Sequence, residues 1–214
     1  MEGKRLITIA ISRGRLLSEA VKLFEKAGID ISGVYTDSRK LICEFKEQGF
    51  RILIIRPTDV PSYVEYGAAD CGIVGKDTLY EVRANLYELL DLKIGKCRLV
   101  VAAPSGFSFK DIKPSVKVAT KYPRTVNDYF VKKGVSVEVV KLYGSVELAP
   151  NAGLSDVIVD LSATGETLKS NNLQEIETVT EVTARFVVNK VGFKVRSDEI
   201  LKLLAKLRKA RDLV

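Results

Sequence analysis

Residues 156–168 read DVIVDLSATGETL. An apolar run ends in an acid, and small and hydroxylated residues, a Thr-Gly pair and another Thr follow. The run reads as a buried strand that stops where a helix starts, and the same alternation repeats outward from it. Toward the N-terminus, LITIAI (6–11), RILIIR (51–56), CGIVG (71–75), CRLVVAA (97–103), VKVAT (116–120) and VSVEVV (135–140) read as strands. After the first, SRGRLL leads into a helix with Leu17, Ala20, Val21 and Phe24 spaced i, i+3, i+4, i+7. Thr58 reads as the cap of a second helix with Pro61 in its first turn, and a third follows CGIVG. A fourth carries Val126, Phe130 and Val131. Beyond the quoted stretch, ETVTEVTARFVVNK (177–190) supplies strands, and a helix starting near Ser197 carries Ile200, Leu203, Leu204 and Leu207. Strands alternating with helices predict an α/β protein with mostly parallel sheets. Strands this apolar are expected to be covered on both faces. GAADCGIVGKDTL (67–79) echoes GLSDVIVDLSATGETL (153–168): Gly-x-x-Asp, an apolar strand, then Thr-Leu. The echo predicts two similarly built lobes with a cleft between them.

Composition narrows the chemistry. The chain has 214 residues, enough for one large domain or two small ones. It has no histidine, which excludes Ser-His-Asp and Cys-His catalysis, histidine metal clusters and histidine general bases. Its three cysteines form no Cys-x-x-Cys pair, against a disulfide framework or a zinc site; Cys71 and Cys97 read as buried small hydrophobes. No apolar run approaches the roughly 18 residues of a membrane span. The start has no small-residue cleavage site, so a cytoplasmic protein without membrane association is expected. The net charge of +7 suits an anionic partner. Basic residues are scattered except for KLRKAR (206–211), where a helix end accounts for them, so nucleic-acid binding is not expected.

In an α/β sheet, ligands collect at the carboxyl ends of strands. DLSATGETL lies at such an end. Unpaired N–H groups at a helix start, hydroxyls from Ser162, Thr164 and Thr167, and close backbone approach at Gly165 describe a phosphate cradle. Asp160 would repel a phosphate and suits ribose hydroxyls instead. The competing reading is an ordinary strand-to-helix turn, in which Ser, Thr and Gly are common caps.

The longer run Glu147 to Leu168 carries Glu147, Gly153, Ser155, Ile158, Asp160, Leu161, Thr164, Gly165, Thr167 and Leu168 at the spacings of one signature. It resembles that of the ATP phosphoribosyltransferase family, the first enzymes of histidine biosynthesis. SRGRL, IRPTDVPSYVEYGAADCGIVGKDTL and VATKYP resemble further segments of that family. The resemblance implies attack of N1 of ATP on C1 of phosphoribosyl pyrophosphate, release of pyrophosphate, and a requirement for Mg²⁺. It also implies a two-lobed fold like type II periplasmic binding proteins, with the active site in the cleft. Residues 1–92 with 181–214 are then the first lobe and 93–180 the second.

By matching position, Ser162, Ala163, Thr164, Gly165 and Thr167 fall to the 5-phosphate, and Asp160 and Glu147 to ribose hydroxyls. Arg13, Gly14, Arg15, Arg56 and Asp70 fall near ATP or pyrophosphate, with Arg13, Arg56 and Asp160 as catalytic candidates. Lys121 and Tyr122 are further candidates, Tyr122 on the ATP side. Three of these have structural alternatives: Arg15 as a helix-start charge, Asp70 as a turn cap before Cys71, Tyr122 as a packing aromatic. Asn127 and Asp128 stand where the family often has basic residues, so no substrate contact is expected there. The family has a long form with a histidine-binding domain and a short form. About fifty residues after the loop leave no such domain, so the resemblance implies the short form: a homodimer joined by a subunit resembling histidyl-tRNA synthetase. The rival readings are a solute-binding or ligand-sensing module of the same fold and a phosphoribosyltransferase acting on a free base. The latter usually carries two adjacent acids where Asp160 is followed by Leu161.

Overall fold

The computed structural model describes residues 5–36, 39–108 and 115–213. The chain forms two compact units, Met1–Gly95 with Thr183–Val214, and Lys96–Val182. The first unit opens with β1 (Ile7–Ser12), α1 (Arg15–Lys26), β2 (Ile42–Phe45), β3 (Phe50–Ile55) and α2 (Val60–Glu65). It continues through β4 (Cys71–Gly75), α3 (Lys76–Val82) and β5 (Leu86–Asp91). The second unit holds β6 (Cys97–Pro104), β7 (Val116–Thr120), α4 (Pro123–Lys132), β8 (Val137–Lys141), β9 (Val157–Ser162), α5 (Glu166–Ser170) and β10 (Leu173–Val182). The chain then returns to the first unit as β11 (Ala184–Asn189) and α6 (Lys190–Arg211).

The first sheet runs β2-β3-β1-β4-β11-β5 and the second β10-β6-β9-β7-β8. Both are buried on both faces, and strand alternation sorts the residues. In β1, Ile9 and Ile11 join one core with Ile52, Ile73 and Phe186, while Ala10 joins the opposite one with Leu53 and Val74. In the second unit, Val118 and Val159 face one core, Ala119 and Ile158 the other. The parallel pairs expected from the alternation are β3–β1–β4 and β9–β7–β8. Both sheets are nonetheless mixed, because strands β2, β5, β6, β10 and β11 pair antiparallel. The turn between β2 and β3 is too short for a parallel crossover.

Local details depart from the sequence reading. Strands β2 and β5 are additional: β2 alternates exposed and half-buried positions at the sheet edge, so it has little apolar signal. Thr58 caps no helix. Helix α2 follows a 3-10 turn, Pro57–Asp59, with Asp59 at its cap and Pro61 in its first turn, and the Thr58 hydroxyl donates to the Asp59 carboxylate at 3.1 Å. The last helix starts at Lys190, where the Asn189 carboxamide oxygen accepts the Gly192 N–H at 2.6 Å. It kinks at Arg196 (φ −125°, ψ 28°), and Ser197 opens the segment whose Ile200, Leu203, Leu204 and Leu207 are buried. Val131 is exposed on α4 rather than in its core stripe, and Cys97 is half-buried at the start of β6.

Candidate active site

Two constellations form at carboxyl strand ends, one in each unit. In the first unit β1 and β3 run parallel with Ser12 opposite Ile55, and the Arg13 N–H donates to the Ile55 carbonyl at 2.9 Å. This carries the register one step further and sets Arg13 beside Arg56, on strands spaced about 4.8 Å apart. Both side chains are exposed, and among the described residues no carboxylate pairs with either. Two adjacent unpaired guanidiniums repel each other and attract a polyanion. Gly14 follows at φ 86° and ψ −148°, a conformation open essentially to glycine alone. Its carbonyl accepts the Leu17 N–H at 3.0 Å and so starts α1. The first turn of α1 holds no acid, which leaves its positive dipole end uncompensated. Arg15 leans back to Glu19 at 3.5 Å, the helix-surface alternative noted above.

Asp70 is not part of this group. It precedes β4, at the opposite, amino end of the parallel strands. There its carboxylate accepts the Thr8 N–H at 2.8 Å and pairs with Arg196 at 3.1 Å. Thr8 is five positions before Arg13 along β1, roughly 16 Å at 3.3 Å per residue. The sequence grouped Asp70 with the arginines because it lies in a matching segment; the strand direction separates them.

In the second unit β7 and β9 run parallel with Thr120 opposite Val159. One step on, the Lys121 ammonium meets the Asp160 carboxylate at 3.1 Å. Asp160 is only 6% exposed, and its other oxygen accepts the Leu161 N–H at 2.8 Å. Burial pushes its carboxyl above the usual carboxylate value; Lys121 pulls against that, and nearby Glu147 adds to it. Glu147 is half-buried in a 3-10 turn, Val146–Leu148.

Beyond Asp160 the strand ends in Ser162, whose buried hydroxyl has no partner among the described residues. Ala163 and Thr164 are exposed, Gly165 is left-handed (φ 79°, ψ −1°), and Thr167 sits exposed in α5. The Thr164 hydroxyl accepts the Glu166 N–H at a long 3.4 Å, so that donor is weakly held. Helix α5 has five residues, too few for a strong macrodipole. What the loop offers an anion is individual N–H and O–H donors. The loop so gathers the five residues the sequence assigned to it, with Asp160 and Glu147 alongside.

Tyr122 joins the second unit differently. Its ring packs on the core, and its N–H donates to the Thr120 hydroxyl at 2.9 Å. That hydroxyl in turn donates to the Val159 carbonyl at 2.6 Å. Thr120 ties together the two strands that carry Lys121 and Asp160. Sequence reasoning passed over it; the signal was a hydroxyl closing an apolar strand just before Tyr122 and Pro123.

A loop of hydroxyl and N–H donors at one parallel strand end and adjacent arginines at another are the kinds of groups that meet phosphates in α/β enzymes. A family profile, ATP phosphoribosyltransferase (HisG), matches residues 56–209. The chain is 55% identical over 202 residues to an ATP phosphoribosyltransferase of Citrifermentans bemidjiense, covering 92% of this chain and 95% of that protein. It is 52% identical over 206 residues to ATP phosphoribosyltransferase 2 of Geobacter sulfurreducens, covering 95% and 97%. The chain belongs to the ATP phosphoribosyltransferase family. Among solved structures it is similar to the ATP phosphoribosyl transferase (HisG:HisZ) complex from Thermotoga maritima. That match has a TM-score of 0.82 and 32% identity, and covers 98% of this chain and 100% of that one. It also resembles the periplasmic aliphatic sulphonate binding protein SsuA from Escherichia coli (TM-score 0.65, 14% identity, 98% and 69% covered), a likeness of fold alone.

Proposed function

We propose that this chain transfers the 5-phosphoribosyl group of phosphoribosyl pyrophosphate to N1 of ATP, releasing pyrophosphate, as the first step of histidine biosynthesis. The observation that carries the assignment of the sugar phosphate is the Ser162–Thr167 loop. It offers a buried hydroxyl without a partner, a left-handed glycine and two exposed threonines beside a carboxylate. Ser162, Ala163, Thr164, Gly165 and Thr167 hold the 5-phosphate through neutral donors. Asp160, oriented by Lys121, accepts from ribose hydroxyls together with Glu147, and its negative charge favours a cationic ribosyl centre. Arg13 and Arg56, with the N–H groups after Gly14, take the charge of a triphosphate or of departing pyrophosphate. N1 of adenine is neutral with a free lone pair, so no base is needed. That suits a chain without histidine.

Mg²⁺ fits this donor set as an ion brought in by substrate. Among the described residues no cluster of three or more candidate ligands exists, while Asp160 and Glu147 lie close enough to interact. Two carboxylates plus substrate phosphates is the usual Mg²⁺ arrangement. The ion would supply charge neutralisation to pyrophosphate, held mainly by substrate phosphates, and Glu147 and Asp160 would be the protein carboxylates nearest to it.

The chain works as the short form: a homodimer that joins a HisZ-like subunit resembling histidyl-tRNA synthetase, in the cytoplasm. Similarity to the Thermotoga maritima HisG:HisZ complex supports that partner. The direct test mixes the chain with ATP, phosphoribosyl pyrophosphate and Mg²⁺, with and without its partner subunit, and follows pyrophosphate and product absorbance. Product formation that needs both substrates is expected. A saturable ligand site with no turnover under either condition would favour the solute-binding reading instead.

A further inference from the structure

The first unit has a cavity of about 370 Å³ at the amino ends of β1 and β3. Its floor is apolar core: Ile7, Ile29, Phe50 and Leu203. Its rim is cationic, with Arg5 ahead of β1, Lys46 in the turn after β2, and Lys202 and Lys206 one helical turn apart on α6. The acid on the rim, Glu199, is engaged by Arg196 at 3.1 Å, and so is Asp70 beneath it. Arg5 makes a loose 3.7 Å approach to Asp70. Lys46, Lys202 and Lys206 are exposed and have no ion-pair partner among the described residues. A second depression continues the first and shares Arg5, Leu6 and Lys46 with it.

Several physical points converge here. Like charges at i and i+4 on a helix cost a few tenths of a kcal/mol, and Lys202 and Lys206 stand so, with no ion pair to an acid among the described residues. Pockets of ~300–1,000 Å³ with mainly apolar walls and a few convergent polar groups are the usual form of small-molecule sites. An apolar floor under unpaired cations selects a ligand with an acidic head and an apolar body. Neither of the clusters already described lies here. Arg13 and Arg56 stand at the other end of β1 and β3, some 17–20 Å along the strands.

We propose that this cavity is a second ligand site, for a small organic anion whose carboxylate, sulfonate or phosphate head is held by Lys46, Lys202 and Lys206 while its aromatic or aliphatic body covers Ile29, Phe50 and Leu203. The occupant ties the amino end of β1, the β2–β3 turn and α6 together. It does not compete with substrate at the carboxyl strand ends.

The probe is 8-anilinonaphthalene-1-sulfonate, an aromatic sulfonate whose fluorescence rises in apolar surroundings, titrated into the intact chain. One saturable site is expected, weakening with added salt. Lys202→Glu with Lys206→Glu should weaken it about tenfold or more, and so should the single change Lys46→Glu from a different element. Lys22→Glu with Lys132→Glu makes the same change in net charge away from the cavity and should leave affinity within twofold. Saturating ATP should leave the dye in place. If the Lys202/Lys206 variant does not fold by circular dichroism, the Lys46 variant decides alone. Affinity unchanged in the cavity variants, equal loss in the control variant, or stoichiometric displacement of the dye by ATP would each overturn the proposal.

Discussion

Asp70 and Asp156 occupy equivalent places in the two units. The Asp70 carboxylate accepts the Thr8 N–H at 2.8 Å, and its own N–H donates to the Thr8 carbonyl at 2.9 Å. The Asp156 carboxylate accepts the Lys117 N–H at 2.7 Å, and its own N–H donates to the Lys117 carbonyl at 2.8 Å. Each stands just before a strand, β4 or β9, and clamps the parallel neighbour, β1 or β7. Each follows a left-handed glycine by three residues, Gly67 (φ 76°) or Gly153 (φ 71°). The Gly-x-x-Asp echo in the sequence is a repeated strand-start clamp. The two differ in burial: Asp70 is 5% exposed and holds Arg196, while Asp156 is exposed.

That difference sets the first prediction. Asp70→Ala takes from the largely buried Arg196 guanidinium its buried carboxylate partner, leaving Glu199 and the carbonyls of Arg5 and Leu6, and should cost roughly 2–4 kcal/mol. Asp156→Ala loses one exposed hydrogen bond and should cost about 1 kcal/mol. Urea unfolding measures both, and turnover per folded molecule should stay near that of the parent for Asp70→Ala. A stable Asp70→Ala protein with lost ATP affinity would return Asp70 to the substrate site.

Arg13→Ala and Arg56→Ala should behave in the opposite way. Both side chains are exposed and unpaired among the described residues, so melting temperatures should move little. Losing a hydrogen bond to a charged phosphate corresponds to roughly 1.5–3 kcal/mol, or about 10- to 100-fold in kcat/KM for each arginine. A variant that unfolds while its folded fraction turns over normally would make that arginine structural.

The loop separates binding from stability. Ser162→Ala removes a buried hydroxyl with no partner, so the free protein should be no less stable and even slightly more so. Thr164→Ala, at an exposed position, should also leave stability alone. Both should weaken phosphoribosyl pyrophosphate binding, Thr164→Ala by about 10- to 100-fold, with a much smaller change for ATP. Isothermal titration with each substrate distinguishes them, and equal losses for both would defeat the loop assignment.

Asp160 makes a prediction about pH. Burial raises its folded value above the ordinary 3.8, against the pull of Lys121. Between those two values the native state binds more protons than the unfolded one, so stability falls as pH rises through that window and the ionised form is a standing cost above it. If the ionised form serves catalysis, kcat/KM for phosphoribosyl pyrophosphate should fall on the acid side at a pH above 3.8. Lys121→Met removes the opposing cation and should move that limb to higher pH. A limb that stays in place would separate Asp160 from the rate.

The proposed short form predicts a division of labour. Histidine should inhibit the complex with the HisZ-like subunit and leave the isolated chain almost untouched. Tight, saturable inhibition of the isolated chain, or full activity that the partner does not change, would contradict it.

The sequence by itself determined the helix–strand alternation, the double cover of both sheets, and the family. Runs such as LITIAI and VIVDL are apolar at all but one position because neither face meets water, and that pattern is local information. The loop was legible for the same reason: Ser162 to Thr167 are contiguous, so their chemistry can be read before they fold. Edge strand β2 was not legible, since half of it faces solvent and its pairing partner, not its composition, makes it a strand. The break of α6 at Arg196 was missed as well, because it is held by Asp70, 126 positions away, and by the carbonyls of Arg5 and Leu6, 191 and 190 positions away. Only the tertiary structure decided which candidates stand together. A strand's direction sets whether a residue lies at the ligand end or the opposite one, and a linear spacing carries no such sign. Parallel register brought Lys121 to Asp160 and Arg13 to Arg56, and set Asp70 at the amino end of β4, where its carboxylate meets Arg196 and the Thr8 N–H.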